Sequence, residues 1–164
     1  MVDIAAICWA MRLIFDKLSN LFDHAEFEED DDHELRRAIS VLIVHACAID
    51  GKVSEREATR RDAILMKRFG LSTDELKDVV REAEIADRQA TDLYKFTHVI
   101  TKQLDQDGRK DVIRMLWEVV LADGEIDEFE SNLVWRVSEL LGVSTRDRVS
   151  LRQKVQEHLG VEEK

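Results

Sequence analysis

Two phrases in this chain share one pattern. Asp50-Gly51-Lys52-Val53-Ser54-Glu55-Arg56-Glu57 and Asp123-Gly124-Glu125-Ile126-Asp127-Glu128-Phe129-Glu130 both read Asp-Gly-x-[Val/Ile]-x-x-x-Glu. An apolar run enters each copy, over residues 41–49 and 115–122. A helix-like run leaves each copy and stops at Phe69-Gly70-Leu71-Ser72-Thr73 or Leu141-Gly142-Val143-Ser144-Thr145. Breaker, turn and stop therefore recur in register. The chain has no proline and only six glycines. These two residues are the main interrupters of helices. The fold class expected is all-α: two pseudo-symmetric helical repeats in a compact bundle, with an additional N-terminal helix.

Periodicity and capping signals place the elements. A helix is expected over residues 34–49, with Leu35, Ala38, Ile39, Leu42, Ile43 and Ala46 on its apolar spacing. Others are expected from the first Asp-Gly turn to Phe69, over 73–87, from a Thr91 cap to about Leu104, through the run ending at Val120, over 128–141, and from Ser144 to before Gly160. Asp105-Gln106-Asp107-Gly108 reads as a surface turn. The domain organisation expected is an amphipathic helix over 1–22, an acidic linker over 23–34 and a helical domain over 35–160. The repeats within it cover about 35–87 and 109–159.

The formal net charge is −11, from 35 acidic and 24 basic residues. Such a chain is repelled by phosphate backbones, so nucleic acid is not an expected partner. The two cysteines, Cys8 and Cys47, lack paired spacing, and a reducing cytoplasm fits them. The apolar run at 4–11 is too short to span a bilayer and lacks the marks of a secretory signal. The stripe Ile4, Ile7, Cys8, Met11, Phe15, Leu18 and Phe22 needs a groove to cover it. Self-association into a homodimer through this helix is favoured over membrane contact, because Asp3 and Asp16 offset Arg12 and Lys17.

Two readings of the repeated motif stand side by side. In the first, Ser54 and Asp127 are helix N-caps, with Glu57 and Glu130 at the capping-box position three residues on. In the second, Asp50, Glu57, Asp123 and Glu130 are metal ligands. Four converging carboxylates would repel one another unless protonated or neutralised by a hard divalent cation such as calcium or magnesium. The motif resembles the tail of an EF-hand loop, but the earlier ligand positions hold Ala46, Ala48, Val119 and Leu121, so a true EF-hand is not expected.

Other residues carry weaker signals. His45 precedes Asp50 by about one turn, and Glu118 is its counterpart in the second copy. Lys52, Arg56, Arg60 and Lys67 fall near one helix face, as a solvated stripe or a docking face for an acidic partner. Trp117 and Trp135 read as core, and Cys47 as an inert buried thiol. No phosphate loop, nucleophile–base pair or catalytic triad order stands out, so an enzyme is not expected. A metal-dependent hydrolase is the weakest alternative.

With its two motifs, residues 45–57 and 119–130, the chain resembles the tellurite resistance protein B (TerB-like) family over about residues 35–159. The same module is found in membrane-anchored J-domain co-chaperones. The resemblance implies an all-α fold of two helical repeats with acidic positions that bind divalent cations. It also implies a non-enzymatic role in tellurite-type stress responses through an unidentified protein partner. Residue by residue, the acidic site falls on Asp50, Glu57, Asp123 and Glu130. A structural adaptor without metal is the rival reading.

Overall fold

The computed structural model describes residues 31–161 apart from Lys52 and Glu125. The expectations for the N-terminal helix over 1–22, its self-association and the linker over 23–30 lie outside the described residues. The chain divides into two compact units, Met1–Glu34 and Leu35–Lys164, and the second carries both motifs.

The described residues form seven helices and no strand. Helix α1 occupies residues 31–48. It is followed by α2 (Glu55–Phe69), α3 (Thr73–Gln89), α4 (Tyr94–Gln103), α5 (Gln106–Val120), α6 (Glu128–Leu141) and α7 (Thr145–Leu159). Residues 31–34, expected in the linker, are helical and mostly exposed. Their acidic side chains face solvent and need no packing partner, so charge density there does not oppose a helix.

Two helices contribute the longest buried runs of the interior. On α1, Ala38, Ile39, Val41, Leu42, Ile43, Val44, Ala46 and Cys47 are all buried. On α5 the same holds for Val112, Ile113, Met115, Leu116, Trp117, Val119 and Val120. An apolar surface this broad marks a helix enclosed by others. Helix α5 packs against α2, α6 and α7, α4 against α6, and α2 against α3. Both central helices run directly into an Asp-Gly motif.

Boundaries follow local chemistry. Ser54, Ser72 and Asp127 each close a reciprocal capping box with Glu57, Glu75 and Glu130. Ser144 caps α7 through the Asp147 N–H. Two expectations change. Thr91 does not cap α4. Leu93 occupies that position without a side-chain bond, and Asp92 instead accepts from the Tyr94 N–H at 2.9 Å. Asp105 is an N-cap rather than part of a free turn. Its carboxylate accepts from the Gly108 N–H at 2.8 Å, and α5 begins at Gln106. Trp135 is 47% exposed, so it is not core, whereas Trp117 is.

One arginine fastens the connection between α4 and α5. Arg109 donates from Nε to the Leu104 carbonyl at 3.0 Å, from Nη2 to Thr101 at 2.8 Å and from Nη1 to Leu141 at 3.5 Å. Its guanidinium thus satisfies carbonyls at the C-terminal ends of α4 and α6, where the helix dipole favours a cation.

The motif glycines adopt left-handed backbone, φ 78° at Gly51 and 85° at Gly124, with open space where a Cβ would stand. Substitution therefore costs backbone strain and no clash. Gly51→Ala and Gly124→Ala are each expected to lower stability by about 1–2 kcal/mol, measured by urea denaturation. An unchanged midpoint in both variants would show that the turns can be rebuilt without positive φ.

Candidate functional site

Each motif first closes a central helix and then opens the next. The Gly51 N–H bonds the Ala48 carbonyl at 3.0 Å, and the Gly124 N–H bonds Leu121 at 3.2 Å. The chain then restarts as α2 or α6. The Ser54 N–H donates to Glu57 Oε2 at 2.7 Å, and the Glu57 N–H donates back to Ser54 Oγ at 3.1 Å. In the second copy the Asp127 N–H donates to Glu130 Oε2 at 3.0 Å, and the Glu130 N–H to Asp127 Oδ1 at 2.9 Å. Each box satisfies N–H groups that the first turn of a helix leaves unpaired.

The two glutamates are not surface caps. Glu57 is 4% exposed and Glu130 7%. Their carboxyls lie within hydrogen-bonding reach of one another. Two carboxylates can bond only if one holds a proton. Burial chiefly drives the Glu130 carboxyl from the ordinary 4.5 up to about 7. The Asp127 backbone N–H works against that rise, while the charges of Asp127 and Glu57 and the bond to Glu57 add to it. Cys47 on α1 belongs to the same neighbourhood. Burial pushes its thiol up to about 12, opposed by Arg61 and reinforced by Glu57, Asp62 and Glu130.

Of the four motif carboxylates, the structure brings Glu57 and Glu130 together in the interior. Asp50 and Asp123 are exposed in their turns. His45 and Glu118 do not join the pair. His45 Nδ1 bonds Asp87 Oδ1 at 2.7 Å. Glu118 accepts from Arg60 Nη2 at 2.9 Å and from Arg114 Nη1. Among the described residues, no group of three or more His, Cys, Asp or Glu side chains is disposed to hold a metal ion. The donor chemistry suits a hard cation, since both groups offer carboxyl oxygens. The geometry as it stands supplies two carboxyls of the six to eight oxygens that calcium takes.

Two outcomes follow from this neighbourhood. Folding raises the Glu130 pKa, so its stabilising contribution is fully present below about pH 4.5 and is lost as pH rises through about 7. Glu130→Gln mimics the protonated form at every pH and keeps an acceptor for the Asp127 N–H. Between pH 5.5 and 8.5 the melting temperature of the parent should fall relative to this variant by about 3 °C or more. Parallel curves would mean that Glu130 ionises freely. In a Cys8→Ser background, Cys47 should resist thiol reagents at pH 8, where about one native thiol in ten thousand is a thiolate, and should react promptly in denaturant. Prompt labelling of the native protein would overturn this.

The comparisons with known proteins agree with this architecture. A protein of unknown function, PG1108, from Porphyromonas gingivalis W83 has a similar crystal structure. It is 22% identical, the match covers 74% of this chain and 94% of that one, and the TM-score is 0.54. At that identity the likeness concerns the fold alone. No curated protein matches the chain. The family described as tellurite resistance protein TerB matches residues 36–153, from the middle of α1 into α7 and across both motifs. On that match, the chain belongs to the TerB family.

Proposed function

We propose that this chain is a non-enzymatic interaction module of a tellurite-type or metal-stress response, working in the cytoplasm through a protein partner and holding a divalent cation at its paired motifs. The observation that carries the reading is the buried meeting of Glu57 and Glu130. A self-repelling pair at the junction of two helix starts is a costly arrangement for capping alone. A short polar cap on an exposed helix would supply the same 0.5–2 kcal/mol or so. In this reading Glu57 and Glu130 would hold the ion, with Asp50 and Asp123 at the rim and water completing the shell. Bound, the ion neutralises charge that otherwise keeps a proton between the carboxyls.

A specific observation favours the rival, a structural adaptor without metal. The capping boxes account for Ser54, Glu57, Asp127 and Glu130 with every bond in place. The two readings part on one measurement. A ligand of the folded state raises the melting temperature by mass action, by about 2.7 kcal/mol of stability at a hundredfold excess over Kd. Calcium or magnesium should therefore stabilise the parent, and Asp50→Ala combined with Asp123→Ala should remove the gain. A parent that does not respond overturns the cation reading and leaves the adaptor; a double variant that responds like the parent overturns the part given to Asp50 and Asp123.

A further inference from the structure

A basic cleft lies on this acidic molecule. Helix α5 packs against both α2 and α7. Between the three runs a cleft of about 420 Å³, lined by Arg60, Lys67, Arg114 and Lys154, with His158 at its edge. A second space of about 200 Å³ shares Lys67, Arg114 and Glu118 with it and adds Arg68. A third, of about 420 Å³, shares Arg60 and Ala63 and extends past Arg56 toward the start of α2. The floor is apolar, from Ala63, Ile64 and Val155.

The charge balance inside the cleft is opposite to that of the whole chain. Glu118 is the acid at its base and is shared between the guanidiniums of Arg60 and Arg114. Arg114 also meets Asp111 at 3.3 Å, and Glu55 stands at the far end. Lys67, Arg68 and Lys154 are exposed. Glu118 therefore holds two guanidiniums in place while the lysines keep their charge for something else. In addition, Arg60 Nε is buried without a hydrogen-bond partner.

We propose that this cleft binds an extended acidic peptide segment of a partner protein. The proposal deepens the interaction-module reading by naming the surface and the chemistry of the partner. The shape favours a peptide over a single phosphate. The basic side chains do not converge on one point but are strung along α2 from Arg56 to Arg68. That distance is about 18 Å at 1.5 Å per residue, matching about five or six residues of extended chain at about 3.3 Å each. Aliphatic side chains between the acids would lie on Ile64 and Val155, and the carboxylates would meet Lys67, Arg68 and Lys154. Nucleic acid fits less well. The cleft offers no Phe, Tyr or Trp side chain for base stacking, and a net charge of −11 repels a long polyanion.

The test uses the full chain and a fluorescein-labelled peptide of alternating Glu and Leu, read by fluorescence anisotropy at low salt. Lys67→Glu with Lys154→Glu should weaken binding more than tenfold while the melting temperature holds. A charge-matched control on α3, Lys77→Glu with Arg81→Glu, should change it less than threefold, because those side chains are 70% and 69% exposed and lie outside the cleft. Equal losses in both variants would reduce the effect to general charge and overturn the site. So would absence of binding at millimolar peptide. Displacement of the peptide by inorganic phosphate or an oligothymidylate at lower concentration than by unlabelled peptide would also overturn it, in favour of a phosphate ligand. Calcium stabilisation measured on the same preparations separates this failure from failure of the cation reading, because neither lysine belongs to the motifs.

Discussion

The Glu57 and Glu130 carboxyls meet in the interior, and each already accepts a backbone N–H from its own cap. Two like charges cannot coexist there at low energy. The starts of α2 and α6, which follow the two central helices, bring these two carboxyls side by side. The exposed N–H groups at each helix start carry partial positive charge, which favours one negative charge between them but not two. A Glu130 carboxyl that keeps its proton up to about pH 7 meets both demands. Cys47, at the end of α1, feels the same carboxyls, which add to the burial that raises its thiol pKa.

Much of the architecture was legible in the sequence because its punctuation is local. Ser54, Ser72, Asp127 and Ser144 announce helix starts through bonds that span three residues. Gly70 and Gly142 end helices by a backbone conformation that other residues avoid. Reading failed where the local signal was absent or ambiguous. Leu93 opens α4 with no side-chain bond, so neither composition nor spacing marks it. Asp105 followed by Asp107-Gly108 has the composition of a turn, and only the bond to the Gly108 N–H makes it a cap. Trp135 shows that an aromatic on a helical stripe can still face solvent when the stripe is broader than the contact.

The site was legible in part for a related reason. The motif pointed to Glu57 and Glu130 as a matched pair, since identical residues stand at identical places in each copy. That they meet inside is a tertiary fact with no local trace. The cleft between α2, α5 and α7 was less accessible still. Arg56, Arg60 and Lys67 fall on one face of α2 by spacing, but Arg114, Lys154 and His158 arrive from other helices. The Arg114–Glu118 spacing of four residues was a visible hint. The second bond of Glu118, to Arg60, could not be seen. Charge segregation of this kind depends on which helix faces pack together, and a net charge conceals it.

The fork of Arg109 sets a limit on length. Its three acceptors lie at the ends of two helices and leave no slack. One residue added to the α4–α5 connection would lengthen the path between Thr101 or Leu104 and Arg109 by about 3 Å of extended chain. The guanidinium would then lose its hold on the Thr101 and Leu104 carbonyls. The stretch between α3 and α4, at 90–93, makes bonds of short range along the chain, from the Ala90 N–H to the Asp87 carbonyl, from the Tyr94 N–H to Asp92 and from Thr97 to the carbonyl of the buried Leu93. Insertions and deletions should therefore be borne on the 90–93 side of α4 and refused on the other, so that α4 behaves as an extension of α5 that can be moved further from α3 but not from α5.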